Sequence, residues 1–202
     1  MRGLLIACLL FFATSAAADF PALFDVYGVA EDDVLNARKE PSAQSDIVGA
    51  LKPDTQSIEV IRLSKDGRWA LVNFGEGTAW TATQFLKPSS KLTLIPPRMR
   101  CFGTEPFWDL HISWPTTSPS VDFSLAGDRE QNFIVQQTDG LSGRSVIMSG
   151  PRETDDIHLL TAVKRQYCSD GMSDREFGLG VELFILNGGN WQNYTGCCSL
   201  AP

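Results

Sequence analysis

The chain has 202 residues, with 17 Lys and Arg against 24 Asp and Glu and a net charge of −7. A chain this acidic, with no basic cluster, is matched neither to nucleic acid nor to an anionic lipid surface. At its start, residues 1–18 join Arg2, an apolar run from Leu4 to Ala13 and the small-residue end Ala16-Ala17-Ala18. That is the form of a secretory signal peptide with an Ala-x-Ala cleavage site, and the mature chain is expected to begin at Asp19. The apolar run is well short of the roughly 20 residues that span a bilayer, so no transmembrane segment is expected after the signal is removed. Leu5-Ile6-Ala7-Cys8 has the shape of a lipoprotein box, but it lies too near the start and the apolar segment runs past it. Cleavage leaves 184 residues and, without Arg2, a net charge of −8.

From Val34 to Leu86 the pattern is one of short apolar strands. Val34-Leu35-Asn36-Ala37-Arg38 comes first, then Ile47-Val48-Gly49-Ala50-Leu51, Ile58-Glu59-Val60-Ile61, Trp69-Ala70-Leu71-Val72 and Ala79-Trp80. Turn signals such as Lys52-Pro53-Asp54 and Lys65-Asp66-Gly67 stop each run, and none has helical periodicity. This order of features resembles the bacterial SH3 domain, with its Leu-Asn-x-Arg strand, Pro-Ser turn, Val-x-Gly strand, Trp-x-x-Val strand and closing Trp before a Phe-Leu turn. The sequence departs from that pattern at Ala37, Lys39-Glu40, Asp54, Ala79 and Thr81. The resemblance implies a small β-barrel and a non-enzymatic binding module of the cell envelope. Trp69 and Trp80 are its candidate ligand-binding residues, because a tryptophan in a small barrel either completes the core or lines an outer groove. One of the two is expected in the core and the other in a groove beside Arg38, whose alternative is a surface ion pair with Glu40 or Asp66.

Lys87-Pro88-Ser89-Ser90-Lys91 and Pro96-Pro97-Arg98 follow, and their prolines stiffen a connection and stop strand pairing. The second half is again β-patterned. Trp108, Leu110, Ile112 and Trp114 alternate with Asp109, His111 and Ser113; Val121, Phe123 and Leu125 repeat the period, as do Leu179, Val181, Leu183 and Ile185. Asn187-Gly188-Gly189-Asn190 is a hairpin signal. Six to eight antiparallel strands are expected, in a barrel or a sandwich. The organisation read from the sequence is therefore all-β: a signal peptide at 1–18, an SH3-like barrel at 19–87, a linker at 88–97 and a disulfide-bonded antiparallel β domain at 98–202.

Four cysteines remain after the signal: Cys101, Cys168, Cys197 and Cys198. In an exported chain they read as two disulfides rather than a zinc site. Neighbouring Cys197 and Cys198 face opposite sides of a strand, so one bridges to Cys101 and the other to Cys168, in either combination. The surrounding residues Gly103-Thr104-Glu105-Pro106-Phe107-Trp108, Cys168-Ser169-Asp170-Gly171-Met172-Ser173 and Gly196-Cys197 resemble an uncharacterised family of bacterial envelope proteins. In that family the Cys168 loop and the Gly-Cys end are the paired features. The resemblance thus implies Cys168 with Cys197, and Cys101 with Cys198.

No catalytic residue, metal ligand or cofactor is expected. His111 shares a face with Asp109, yet no nucleophile in a recognisable turn accompanies them, and Gly-x-Ser-x-Gly is absent. Glu105, before a proline and two aromatics, suggests a half-buried carboxylate that fixes backbone. Asp170, Asp174 and Glu176 lack the spacing of a calcium loop and read as a solvated loop tethered by its disulfide. The expected function is that of a periplasmic or secreted binding module for peptidoglycan, a peptide or an envelope protein, with no enzymatic activity. The alternative is an inhibitor of a lysozyme-type cell-wall hydrolase, since an acidic surface suits a basic enzyme. Ligand identity and oligomeric state are not legible.

Overall fold

The computed structural model describes residues 20–89, 98–114, 118–141, 144–151 and 156–200. The expected signal peptide at 1–18, Asp19 and linker residues 90–97 lie outside them. The chain is all-β, with no α-helix among the described residues. Its first half gives β1 (Ala22–Val26), β2 (Leu35–Arg38), β3 (Ile47–Leu51), β4 (Ile58–Leu63), β5 (Trp69–Phe74), β6 (Gly77–Ala82) and β7 (Leu86–Pro88), with a 3-10 turn at Thr83–Phe85 before β7. These form one sheet in the order β3-β2-β6-β5-β4-β1-β7, so β3 and β7 are its edges. Its buried centre is small: Val60, Ala70 and Val72, with Phe20, Phe24, Ile58, Leu63 and Leu86 partly buried around them.

The second half gives β8 (Arg98–Thr104), β9 (Phe107–Ser113), β10 (Ser120–Leu125), β11 (Gln131–Leu141), β12 (Arg144–Pro151), β13 (Ile157–Cys168), β14 (Phe177–Asn187) and β15 (Asn190–Leu200). Each strand pairs antiparallel with the next, and β15 pairs back onto β8, closing an eight-stranded barrel. Of the expected barrel and sandwich, it is the barrel that forms. The β14–β15 hairpin turns where anticipated: Asn187 pairs with Asn190, while Gly188 and Gly189 take φ of 54° and 83°. Two successive positive φ angles match the strand twist and are open to glycine without strain.

Alternation fills this barrel. On β9, Trp108, Leu110 and Ile112 point inward and are no more than 2% exposed, while His111 is exposed. Every strand of the barrel contributes to one apolar cluster, and Leu23 of β1 joins it from the other sheet. Cys198 lies directly opposite Cys101 in the β15–β8 register, and the two are bridged inside that cluster. Cys197 faces the other way and is bridged to Cys168.

The two halves are joined by more than the chain. The segment after Cys168 folds as a turn in which Asp170 Oδ1 accepts the Met172 and Ser173 N–H groups and Oδ2 accepts the Ser173 hydroxyl. Partial burial opposes ionisation of Asp170, but these bonds outweigh it and hold the carboxyl below its usual range. The turn presents Asp174, Arg175 and Glu176 to the β5–β6 hairpin. Asn73 donates to the Glu176 carbonyl at 2.9 Å and accepts the Glu176 N–H at 3.2 Å, as a strand partner would. Arg175 Nε donates to the Gly75 carbonyl at 2.8 Å, and the Asp174 N–H donates to the Glu76 carbonyl at 3.0 Å. The loop expected to be solvated is therefore a docking element, because its backbone groups find partners on the first sheet.

A second contact lies at the barrel's closing strand, where the Leu200 N–H donates to Glu59 Oε1 at 3.1 Å. Burial raises the Glu59 carboxyl to about 7, the Leu200 bond pulling the other way. Arg165 adds a bond from Nη1 to the Pro21 carbonyl at 3.1 Å.

Candidate ligand-binding cleft

Strand register sets the candidate residues. Arg62, Leu71, Trp80 and Arg38 lie side by side across β4, β5, β6 and β2, and Trp69 with Ala82 forms the next row on the same face of β5 and β6. Paired residues share a face, so Arg38, Trp69 and Trp80 all stand on the side away from Ala70, Val72 and Ala79. Only Leu71 of this face is fully buried.

Neither tryptophan is a core residue; both are half-buried. The expectation that one completes the core is corrected here, because strand alternation gives the core positions to Ala70, Val72, Ala79 and Thr81 instead. Nor do the three residues form one groove. The Arg62 guanidinium lies 5.0 Å from the centroid of the Trp80 ring and pairs with Glu176 of the docking turn at 3.3 Å, so Trp80 has its partner already. Arg38 and Trp69, by contrast, line the same cleft, of about 520 Å³. Trp69 also borders a second cleft of about 370 Å³, which Arg68 lines too. Ala43, Trp69, Ala82 and Gln84 belong to both, so the two clefts adjoin at Trp69.

The walls of this groove are fixed by local hydrogen bonds. Trp69 closes a tight turn: its N–H donates to Ser64 Oγ at 3.1 Å and its carbonyl accepts the Ser64 N–H at 2.8 Å. Inside that turn Asp66 accepts the Ser64 hydroxyl, at 2.6 Å, and both the backbone N–H and Nε of Arg68. The Ser64 bond first, and Arg68 second, hold the Asp66 carboxyl well below the usual range, so it stays ionised. Thr83 ties the 3-10 turn to the same loop, donating from its N–H to the Arg68 carbonyl and from its hydroxyl to the Gly67 carbonyl. Arg38 does not form the ion pair offered as its alternative. Its Nη1 donates to the Ser45 carbonyl at 2.7 Å, which steers the guanidinium, and it forms no ion pair among the described residues. Asp33 also lines the cleft, and its Oδ1 accepts the Val34 N–H.

Arg68 and Gln84 were missed in the sequence. The Ser64-x-Asp66-x-Arg68 spacing directly before Trp69 is the signal that points to Arg68; Gln84 carries none.

Other candidates for chemistry are dispersed. Asp109 is held by Arg100 at 2.6 Å, and His111 is exposed, opposite Asp122 and Arg100 in the register. Glu105 is exposed rather than half-buried. No group of three or more His, Cys, Asp or Glu suited to a metal exists among the described residues. The Gly-x-Glu-Pro-Phe-Trp and Gly-Cys motifs meet at a packing corner. A Cβ on Gly103 or on Gly196 would collide with the Trp108 ring, and one on Gly196 also with the Phe102 carbonyl. These motif residues make the close strand approach that the two disulfides cover.

Residues 33–87 match the family model of the bacterial SH3 domain, a span that holds Arg38, Trp69 and Trp80. No curated protein matches the chain.

Proposed function

We propose that the protein is a non-catalytic binding module of the bacterial cell envelope, which holds a sugar or peptide carrying a carboxylate against Trp69 beside Arg38. The observation that carries this reading is the half-buried indole on a hydrogen-bonded turn, lining the same cleft as Arg38. An indole face offers a large apolar surface to a sugar ring or side chain at little entropic cost. A guanidinium adds direction through charge-assisted bonds to a carboxylate. On a chain of net charge −7, an anionic ligand needs a cation beside it, and Arg38 supplies one in this cleft. The match to a bacterial SH3 domain supports a binding role, and two disulfides fit an oxidising, extracytoplasmic compartment.

Pull-down on purified peptidoglycan, run beside thermal melting, tests the proposal. Trp69→Ala is expected to keep the fold and lose on the order of 2 kcal/mol of binding, roughly thirtyfold in affinity. Trp80→Ala is expected to keep the ligand and to weaken the contact with Arg62. Full binding by Trp69→Ala overturns the reading.

A further inference from the structure

The edge strand β3 is the one stretch of the first sheet whose exposure the groove does not explain. Its sequence, Ile47-Val48-Gly49-Ala50-Leu51, is wholly apolar, and none of its residues is buried. Ile47 and Val48 are 55% and 47% exposed. Among the described strands only β2 pairs with it, so the backbone groups along its outer side are open to a further strand. Such an edge is a template for pairing, and proteins blunt it with charges, prolines or short length. The opposite edge is blunted in that way: β7 has three residues and ends at Pro88. β3 has neither a charge nor a proline within it, and its one irregularity is the bulge at Val48, where Ala37 pairs with Gly49 and Arg38 with Ile47.

The charges that flank β3 select the occupant. Asp46 precedes the strand and Lys52 follows it, each three residues from Gly49. Neither is in an ion pair among the described residues. We propose that β3 pairs antiparallel with β3 of a second copy of this chain, in the register centred on Gly49. This register sets Asp46 of each copy opposite Lys52 of the other, Ile47 opposite Leu51 and Val48 opposite Ala50. A parallel pairing in register would set Asp46 against Asp46 and Lys52 against Lys52, and like charges directly opposite repel. The antiparallel pairing is two-fold symmetric, so the same patch serves both copies and the assembly closes at a dimer. Net negative charge opposes the association, but at physiological salt the Debye length is about 8 Å. The bulk of each chain is thereby screened, while directly opposed residues remain in contact. The contact area is small, and the dimer is weak.

The test is sedimentation equilibrium on the intact chain up to about 1 mM, where an association of roughly −4 kcal/mol is measurable. A concentration-dependent dimer is expected, and Val48→Lys, which puts a charge on the exposed edge, is expected to abolish it. Asp46→Lys and Lys52→Asp, each alone, create like-charge pairs at both ends and are expected to weaken association about tenfold. Mixing those two variants restores opposite charges at both ends and is expected to give a heterodimer. Monomer at every concentration overturns the proposal, as does a dimer indifferent to all three substitutions. A monomer in which the β3 amides are protected from exchange also overturns it, assigning the edge to another segment of the same chain.

Discussion

The first sheet centres on Val60, Ala70 and Val72 and has two strand edges, whereas the second barrel gathers inward side chains from all eight of its strands and has none. The first has the groove, the half-buried tryptophans and the exposed edge; the second has both disulfides. Surface available for binding is surface withheld from the core, and the half that presents it leans on the half that does not. Leu23 of β1 packs into the barrel's cluster, and the Cys168 turn supplies the strand-like partners of Asn73. Under the proposed function the closed barrel is the support and the open sheet the binding face.

That contrast is broken most strongly by opening the barrel. The Cys101–Cys198 bridge links residues 97 apart, and chain-entropy arguments put its removal at about 4.7 kcal/mol. Paired Cys101→Ser and Cys198→Ser substitutions are expected to lower the stability of both halves, read by chemical denaturation. The Cys168–Cys197 bridge spans 29 residues and is expected to contribute about 3.6 kcal/mol. Its loss also frees the docking turn, so amide exchange along β5 and β6 is expected to report the first sheet loosening before the barrel melts.

Acidity sharpens the comparison at the contact between the halves. Glu59 has a carboxyl at about 7 in the fold against an ordinary 4.5, so the folded state holds this proton more tightly than the unfolded one. Stability is therefore expected to fall as pH rises between those two values and to level off above the higher, by about 3 kcal/mol in all. Glu59→Gln keeps an acceptor for the Leu200 N–H and is expected to remove that slope, measured as denaturation midpoints from pH 4 to pH 9. The smallest effect is expected from Asn73→Ala, about 1.5 kcal/mol for two lost hydrogen bonds. It is expected to lower the melting of the first sheet while leaving the barrel's transition in place; a single unchanged transition would show that Asn73 does not couple the halves.

What was legible in the sequence follows the reach of each signal. Alternation at Trp108, Leu110 and Ile112 is a local property of an extended chain, and it reads directly as an inward face. The opposite faces of Cys197 and Cys198 are equally local. Closure of the barrel is not, because it depends on β8 meeting β15 from the far end of the domain. The same holds for Trp80: its ring is covered by Arg62, itself held by Glu176, which lies 114 residues further along. The sequence offered Arg38, Trp69 and Trp80 together but not which tryptophan lines a cleft, because alternation puts both on one face and only the Arg62 contact separates them. The opposing wall at Gln84 came from a 3-10 turn without periodicity, and nothing in its composition announced it.

The β8–β15 seam also sets an order of events during synthesis. Seven of the barrel's strands emerge from the ribosome before β15 exists, and until it arrives the outer edges of β8 and β14 have no partners. A meander of that kind is a low-barrier route for its local hairpins but an exposed one for its unsealed ends, the condition under which nascent chains associate wrongly. The strand that ends this exposure also carries Cys198 into reach of Cys101 and the Leu200 N–H into reach of Glu59. Sealing the barrel, locking it covalently and making the Glu59 contact with the first sheet thus wait on the same eleven residues, Asn190–Leu200.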